Sequence, residues 1–368
     1  MRLRDIKLSE YRNCKDIELN FDSDKILIIG KNAQGKTNIL ESIYYLSVLK
    51  SPRTSNNIEL INFDADKVII NCNLIKSDTD IELDFSYSRE KKRELSINKV
   101  RTTPKNFKSV LKTVLFSTQD LMLLRGNPSD RRDWIDRAIA QVYPAYDERL
   151  SKYDKIRIQK NNLLKDYLKT GNYNETLMDV YNEQLVITGS NIIFLRKKFL
   201  KEIENIASQK HKIISETENL KLEYDCSFTT EFNELSDIAN SYKKALADNK
   251  NEEMRRGQCC YGPHRDDIVF YINDNEATKY ASQGQQRTIV LALKLSELDI
   301  ITQKTGEEPI LLLDDVLAEL DDIRQNYLLK SINKNTQTII TSVDTILFED
   351  EFLDDVQIYK IENGKIIE

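Results

Sequence analysis

Apolar and polar positions change period along this chain. Over the first hundred residues they alternate in short runs: the N-terminal MRLRDIKLSEYRNC, then KVIINCNL, IELDFSY and ELSINKV, each reading as a half-buried strand. KILIIG differs, since a continuous apolar run bounded by glycine predicts a strand covered on both faces. The one strong helix of this region follows Thr37. From Pro128 to Leu222 the sequence is charged and helical, with almost no Gly or Pro. Leu185, Ile192, Phe199, Ile206 and Ile213 recur every seven residues, the seam of a helix packed along a partner. Leu150, Tyr153, Leu164 and Tyr167, ahead of the turn Thr170-Gly171-Asn172, can supply that partner. A helix over Asn174 to Glu216 extends about 60 Å. Strand character then returns in DDIVFYI, is interrupted by a helix after Ser282, and resumes in PILLLDD and TQTIITS.

This order predicts an α/β domain split by an insertion: residues 1–120 and 223–368 as one lobe, 121–222 as a helical lobe. A chain of 368 residues is long enough for both. Its net charge of -6 excludes a polycation that coats nucleic acid, so any DNA surface must be local. Five cysteines without a C-x-x-C pair point away from a disulfide framework or a zinc site and toward a reduced cytoplasm. No apolar run is long enough for a membrane helix, so no membrane role is expected.

Chemistry enters with Gly30-Lys31-Asn32-Ala33-Gln34-Gly35-Lys36-Thr37, which fits G-x-x-x-x-G-K-T and sits between a strand and a helix, where the mechanism needs it. The glycines let backbone N–H groups turn around phosphates, and the helix N-terminus adds its dipole. Lys36 is expected at the β- and γ-phosphates of ATP, with the Thr37 hydroxyl on Mg2+. Such a loop needs a carboxylate on a neighbouring strand. ILLLDD offers Asp314 for the metal and, one residue beyond, Asp315 to orient or deprotonate the attacking water. Further along, Ser282 and Gln285 of ASQGQQRT form a capping box. The same exposed N–H groups, with Gly284 permitting close approach, can also bind phosphate.

The P-loop, a capped helix at Ser282 and an acidic strand end, in that order, resemble an ATP-binding-cassette head, whose signature helix addresses the γ-phosphate held by another subunit. Together with NPSDRRDWID, YGPHRDDI and LLLDDVLAELD, they make the chain similar, essentially end to end, to the RecF family of recombination mediator ATPases. That resemblance implies a P-loop cassette head with a mixed sheet, an antiparallel β subdomain and a helical insertion lobe. It further implies an ATP-driven homodimer, binding to double-stranded and gapped DNA, and partnership with RecR, RecO and RecA. Gln119 falls at the loop position that senses metal or attacking water, Arg12 at an arginine that contacts nucleotide in related heads, and Asp321 in the loop that crosses the dimer interface. Arg12 also reads as a surface arginine at a strand end. A catalytic Asp315 where transporters have Glu implies slow hydrolysis. TIITS ends without a histidine, which leaves Thr341, Ser342 or Asp344 for the switch role. GPHRDDI reads equally as a turn held by Arg265 and Asp266 or as a DNA or nucleotide site.

Between Arg89 and Lys112 stand nine basic residues against two acidic ones. Lys91, Lys92, Arg93 and Arg101 are therefore the expected DNA contacts, with Arg131 and Arg132 as the fallback surface. The competing reading is a cassette subunit of a membrane or translation-associated assembly without a DNA role.

Overall fold

The alternating runs pair as their pattern requires. In a computed structural model, which describes every residue except 229–233, 333–334, 349 and 368, strands Cys14–Asn20, Arg2–Tyr11, Lys67–Lys76, Thr79–Ser88, Arg93–Ile97 and Val100–Arg101 lie side by side in that order. Each is antiparallel to the next. One face buries Ile6, Leu8, Ile70, Cys72, Leu83 and Phe85. The register puts Asp5, Lys7, Asn71, Asn73, Asp84 and Glu94 on the other.

The continuous apolar runs take the interior of a second sheet, ordered Lys365–Ile366, Val356–Glu362, Lys25–Ile29, Thr338–Ser342, Ile310–Asp314, Thr113–Ser117. All of it is parallel except the terminal hairpin. Helix Lys36–Val48 is buried on nearly every side, as a helix apolar all round must be. Its Ile39, Leu40, Ile43 and Tyr45 belong to one core with residues of both sheets. The P-loop therefore leaves a buried strand and enters a buried helix, an anchorage that leaves it little freedom.

The chain divides into two units, Met1–Asp120 with Val290–Glu368, and Leu121–Ile289. The expected return to the first lobe at residue 223 is thus displaced to 290. The reason is packing: strand Leu220–Asp225 lies on helix Glu175–Ser215, and its partner Asp267–Ile272 lies on helix Pro128–Val142, so the small sheet folds with the inserted helices. Helix Tyr146–Thr170 is the partner of the 41-residue helix Glu175–Ser215. The seven-residue seam holds only to Phe199. Beyond it Ile203, Ala207 and His211 are buried while Ile213 is 64% exposed, because a straight helix drifts about 20° per heptad. Among the described residues, no helix is long and apolar enough to cross a membrane.

Candidate nucleotide site

Gly35 is the N-cap of helix Lys36–Val48 and offers no side-chain acceptor to the first turn. Its orphan N–H groups are therefore available to an anion. Lys36, only 3% exposed, donates to the carbonyls of Gly30 at 2.7 Å and Lys31 at 3.3 Å. The loop curls around its own lysine. It opens on a cleft of about 1190 Å³ whose lining includes Arg12, Arg53, Phe63, Gln119, Asp314 and Asp315.

The acidic strand is not the neighbour of the P-loop strand that the motif leads one to expect; Thr338–Ser342 lies between them. That intervening strand supplies the connection. Thr341 donates its hydroxyl to Asp314 Oδ1 at 2.9 Å and accepts the Asp315 N–H at 2.9 Å. Thr37 donates to the same Asp314 oxygen at 2.9 Å. Burial pushes the Asp314 carboxyl above the usual carboxylate range, against the two hydroxyl donors. Asp315 sits at φ 52, a left-handed conformation uncommon outside glycine and turn residues. Of the three switch candidates, Thr341 and Ser342 are buried and Asp344 is exposed in a turn.

The Thr37 hydroxyl and the Asp314 carboxylate form a hard oxygen pair that fits Mg2+. Among the described residues, no group of three or more His, Cys, Asp or Glu is placed to hold a metal. A cation here needs further ligands from phosphate and water, the usual Mg2+ arrangement in nucleotide sites.

Arg12 makes a bidentate pair with Glu41, at 2.6 and 2.7 Å. Glu41 is 1% exposed and also accepts from Ser51 and Arg53. Burial works against the charge on Arg12, and Glu41 outweighs it. Arg12 is thus a fixed wall of the cleft rather than a loose surface arginine. Glu41 was missed in the sequence, where an acid on a helix looks like a solvated face. Gln119 is exposed at the cleft, in the turn Thr118–Leu121. Beside it Asp120 accepts the Ser117 N–H at 2.7 Å and pairs with Lys294 at 2.9 Å. Burial opposes the Lys294 charge, but Asp120 and Glu297 raise its pKa above the usual value.

In the second unit, the Ser282 N–H donates to Gln285 Oε1 at 2.7 Å and the Gln285 N–H to Ser282 Oγ at 3.2 Å, a reciprocal cap on helix Gln283–Thr305. Ser282 is exposed and Gly284 half-buried. In the first unit, Asp321 caps helix Asp322–Ser331 and pairs with Arg324.

The basic stretch separates into unlike parts. Lys91 is exposed in the turn after Thr79–Ser88, and Lys92 pairs with Glu90. Arg93 lies opposite Tyr87 and Arg101 opposite Ser96, which puts the two arginines on opposite faces of the sheet. Arg89 is bound to the carbonyls of Asn62, Phe63 and Ala65, and Lys112 is buried. The counted charge therefore exceeds what any one face displays. On the alternative surface, Arg131 is 6% exposed and held bidentately by Asp267 at 2.7 Å, while Arg132 is half-buried and donates to the Asp266 carbonyl.

GPHRDDI forms a polar knot around buried Asp266, with Arg265 exposed. Asp266 accepts from Tyr224 and the Ser227 N–H, and His264 Nδ1 faces the Tyr153 hydroxyl at 2.7 Å. Arg196 donates to the Pro263 carbonyl and clasps Asp136 at 2.8 Å. Arg265 donates to the Cys259 carbonyl. Asp267 and the Asp266 carbonyl tie the motif's strand to Arg131 and Arg132 of NPSDRRDWID.

A family model described as RecF/RecN/SMC N terminal domain matches residues 2–366. The DNA replication and repair proteins RecF of Bacillus velezensis (strain DSM 23117 / BGSC 10A6 / LMG 26770 / FZB42) and Bacillus subtilis (strain 168) are each 38% identical over 369 residues, covering all of both chains. The solved structure of the recombination mediator protein RecF with ATP matches with a TM-score of 0.91 at 33% identity, over 99% of this chain and 96% of that one. A crystallised Smc head bound to the C-winged helix domain of ScpA has a TM-score of 0.56 at 14% identity, covering 100% of this chain and 97% of its own, a likeness of fold alone.

Proposed function

Since this chain belongs to the RecF family of DNA replication and repair proteins, we propose that it is a slow, Mg2+-dependent ATPase that closes on double-stranded or gapped DNA as an ATP-driven homodimer. The unit with the P-loop binds nucleotide, and the unit ending at Ile289 presents the signature. The observation that carries this reading is the Thr37–Asp314 contact of 2.9 Å beside the uncapped helix N-terminus. It supports a phosphate site and a cation site at adjoining positions.

In this reading the phosphates of ATP lie at the first turn of helix Lys36–Val48, and Lys36 turns from the Gly30 and Lys31 carbonyls toward them. Mg2+ would neutralise charge at the phosphate oxygens when bound, and Thr37, Asp314 and Gln119 would hold it. Asp315 orients the attacking water and accepts its proton. Arg12, fixed by Glu41, faces the nucleotide. Ser282, Gly284 and Gln285 of a second copy aim their helix start at the γ-phosphate, and Asp321 lies in the joint between the copies. RecR, RecO and RecA are the protein partners that family membership suggests, and the cytoplasm is the compartment. Lys91, Lys92 and Arg93 at the hairpin end, with Arg101 apart from them, are the DNA contacts.

Hydrolysis assayed with and without Mg2+, in the parent and in Lys36→Ala, tests the nucleotide site. Turnover should require both the cation and the lysine. A folded Lys36→Ala protein turning over ATP at the parent rate would exclude the assignment.

A further inference from the structure

Beyond every nucleotide motif lies the C-terminal hairpin, and we infer that its turn, Asn363-Gly364, is a positioning element of the P-loop. Strand Val356–Glu362 runs parallel to the P-loop strand, with Lys360 opposite Ile29. The chain then reverses through Asn363 and Gly364, at φ 50 and 69, into Lys365–Ile366. Left-handed geometry at both central residues belongs to the tight hairpin turn favoured by Asn-Gly.

Both amides of this turn are directed at one P-loop residue. The Gly364 N–H donates to the Gln34 carbonyl at 2.9 Å, and the Asn363 N–H to Gln34 Oε1. The approach is backbone to backbone. A Cβ on Gly30 would stand 2.4 Å from the Ile361 carbonyl oxygen, and one on Gly364 would stand 2.4 Å from the Asn13 carbonyl oxygen. Asn13, against Gly364, in turn accepts at 2.6 Å from Asn38 in the first helical turn. Gln34 immediately precedes Gly35 and Lys36, so its orientation sets where the following N–H groups point. The hairpin holds Gln34 in a mould, which keeps the phosphate-facing backbone ordered before nucleotide arrives. Preorganisation of this kind appears as affinity, since less ordering remains to be done on binding.

The inference rests on the P-loop being the ATP site, and the test separates the two. Affinity for a fluorescent ATP analogue is measured by anisotropy in the parent, in Lys36→Ala, in Asn363→Gly, in Gly364→Val and in Gln34→Met, with a thermal melt of each in the absence of nucleotide. Asn363→Gly keeps the turn and its amide, and should bind like the parent. Gly364→Val brings a Cβ against Asn13 and loses the left-handed residue; Gln34→Met removes only the acceptor of the Asn363 amide. Each should weaken binding about tenfold, the scale of one or two lost hydrogen bonds, with the nucleotide-free melt of Gln34→Met unmoved. If Lys36→Ala binds as the parent does, the site itself is wrongly placed. If Lys36→Ala fails to bind while Gln34→Met keeps the parent's affinity, the positioning role is wrong, whatever happens to the folding of Gly364→Val.

Discussion

Asp314 and Asp315 are neighbours in sequence with unlike surroundings. Asp314 receives two hydroxyl hydrogen bonds on one oxygen, whereas Asp315 has its amide tied to Thr341 and its backbone in the left-handed region. Their substitutions should therefore separate. Asp315→Asn should bind Mg·ATP with the parent's affinity and hydrolyse it about a hundredfold more slowly or worse. Asp314→Asn should raise the Mg2+ concentration needed for half-maximal binding. Steady-state turnover with Mg2+ titration distinguishes them, and equal turnover in Asp315→Asn and parent would reject the assigned base. Lys36, Thr37 and the two aspartates could be found in the sequence because each motif is locally contiguous. Glu41 and Thr341 could not. Their significance comes from Arg12, 29 positions from Glu41, and from Asp314, 27 positions from Thr341.

Among the elements, the least legible was GPHRDDI, since its partners come from helices far apart in the chain. Asp136 lies on Pro128–Val142, Tyr153 on Tyr146–Thr170 and Arg196 on Glu175–Ser215. Arg196 is 2% exposed, so Asp136→Ala leaves a buried guanidinium without its carboxylate. That change should cost about 3–5 kcal/mol of stability in urea unfolding. His264 gives a pH signature. Burial pushes its pKa down to about 3, below the unfolded value of about 6.5. The unfolded chain therefore takes up the proton first. Stability from the neutral ring is complete above about pH 6.5 and falls as the pH drops toward 3, by about 1.4 kcal/mol per unit. Urea midpoints at pH 7 and pH 5 should differ less in His264→Gln than in the parent; an unchanged difference would contradict the assignment. The heptad of helix Glu175–Ser215 teaches a related point. Spacing announced a long packed helix, but only packing against strand Leu220–Asp225 and its neighbours decided which residues its lower half buries.

At the scale of the whole molecule, the half-buried and the doubly covered strands followed from the hydrophobic pattern, because period two and continuous runs have different burial requirements; their grouping into a mixed sheet and an antiparallel one was implied by the family resemblance. The limit of the inserted unit did not, since strands of either unit look alike in sequence. The division of the basic stretch between faces was hidden for a related reason. Charge along a segment is not charge on a face, and register divided Arg93 from Arg101. Replacing Lys91, Lys92 and Arg93 by Ala should weaken duplex binding alike for all sequences and reduce the salt slope by roughly one unit per lost contact. Adding Arg101→Ala, on the other face of the sheet, should reduce the slope by about one unit more. An unaltered slope in the triple variant would move DNA binding to another surface.

In the proposed function, one chain holds only half of a working ATP site. Mass in solution, measured by light scattering with saturating Mg·ATP, tests it most directly in the parent and in Ser282→Arg, which puts a bulky cation at an exposed helix start. The parent should double in mass on adding ATP, while Ser282→Arg should stay a monomer that still binds nucleotide. A parent that remains monomeric at saturating ATP, or a Ser282→Arg protein that dimerises as the parent does, would contradict the account.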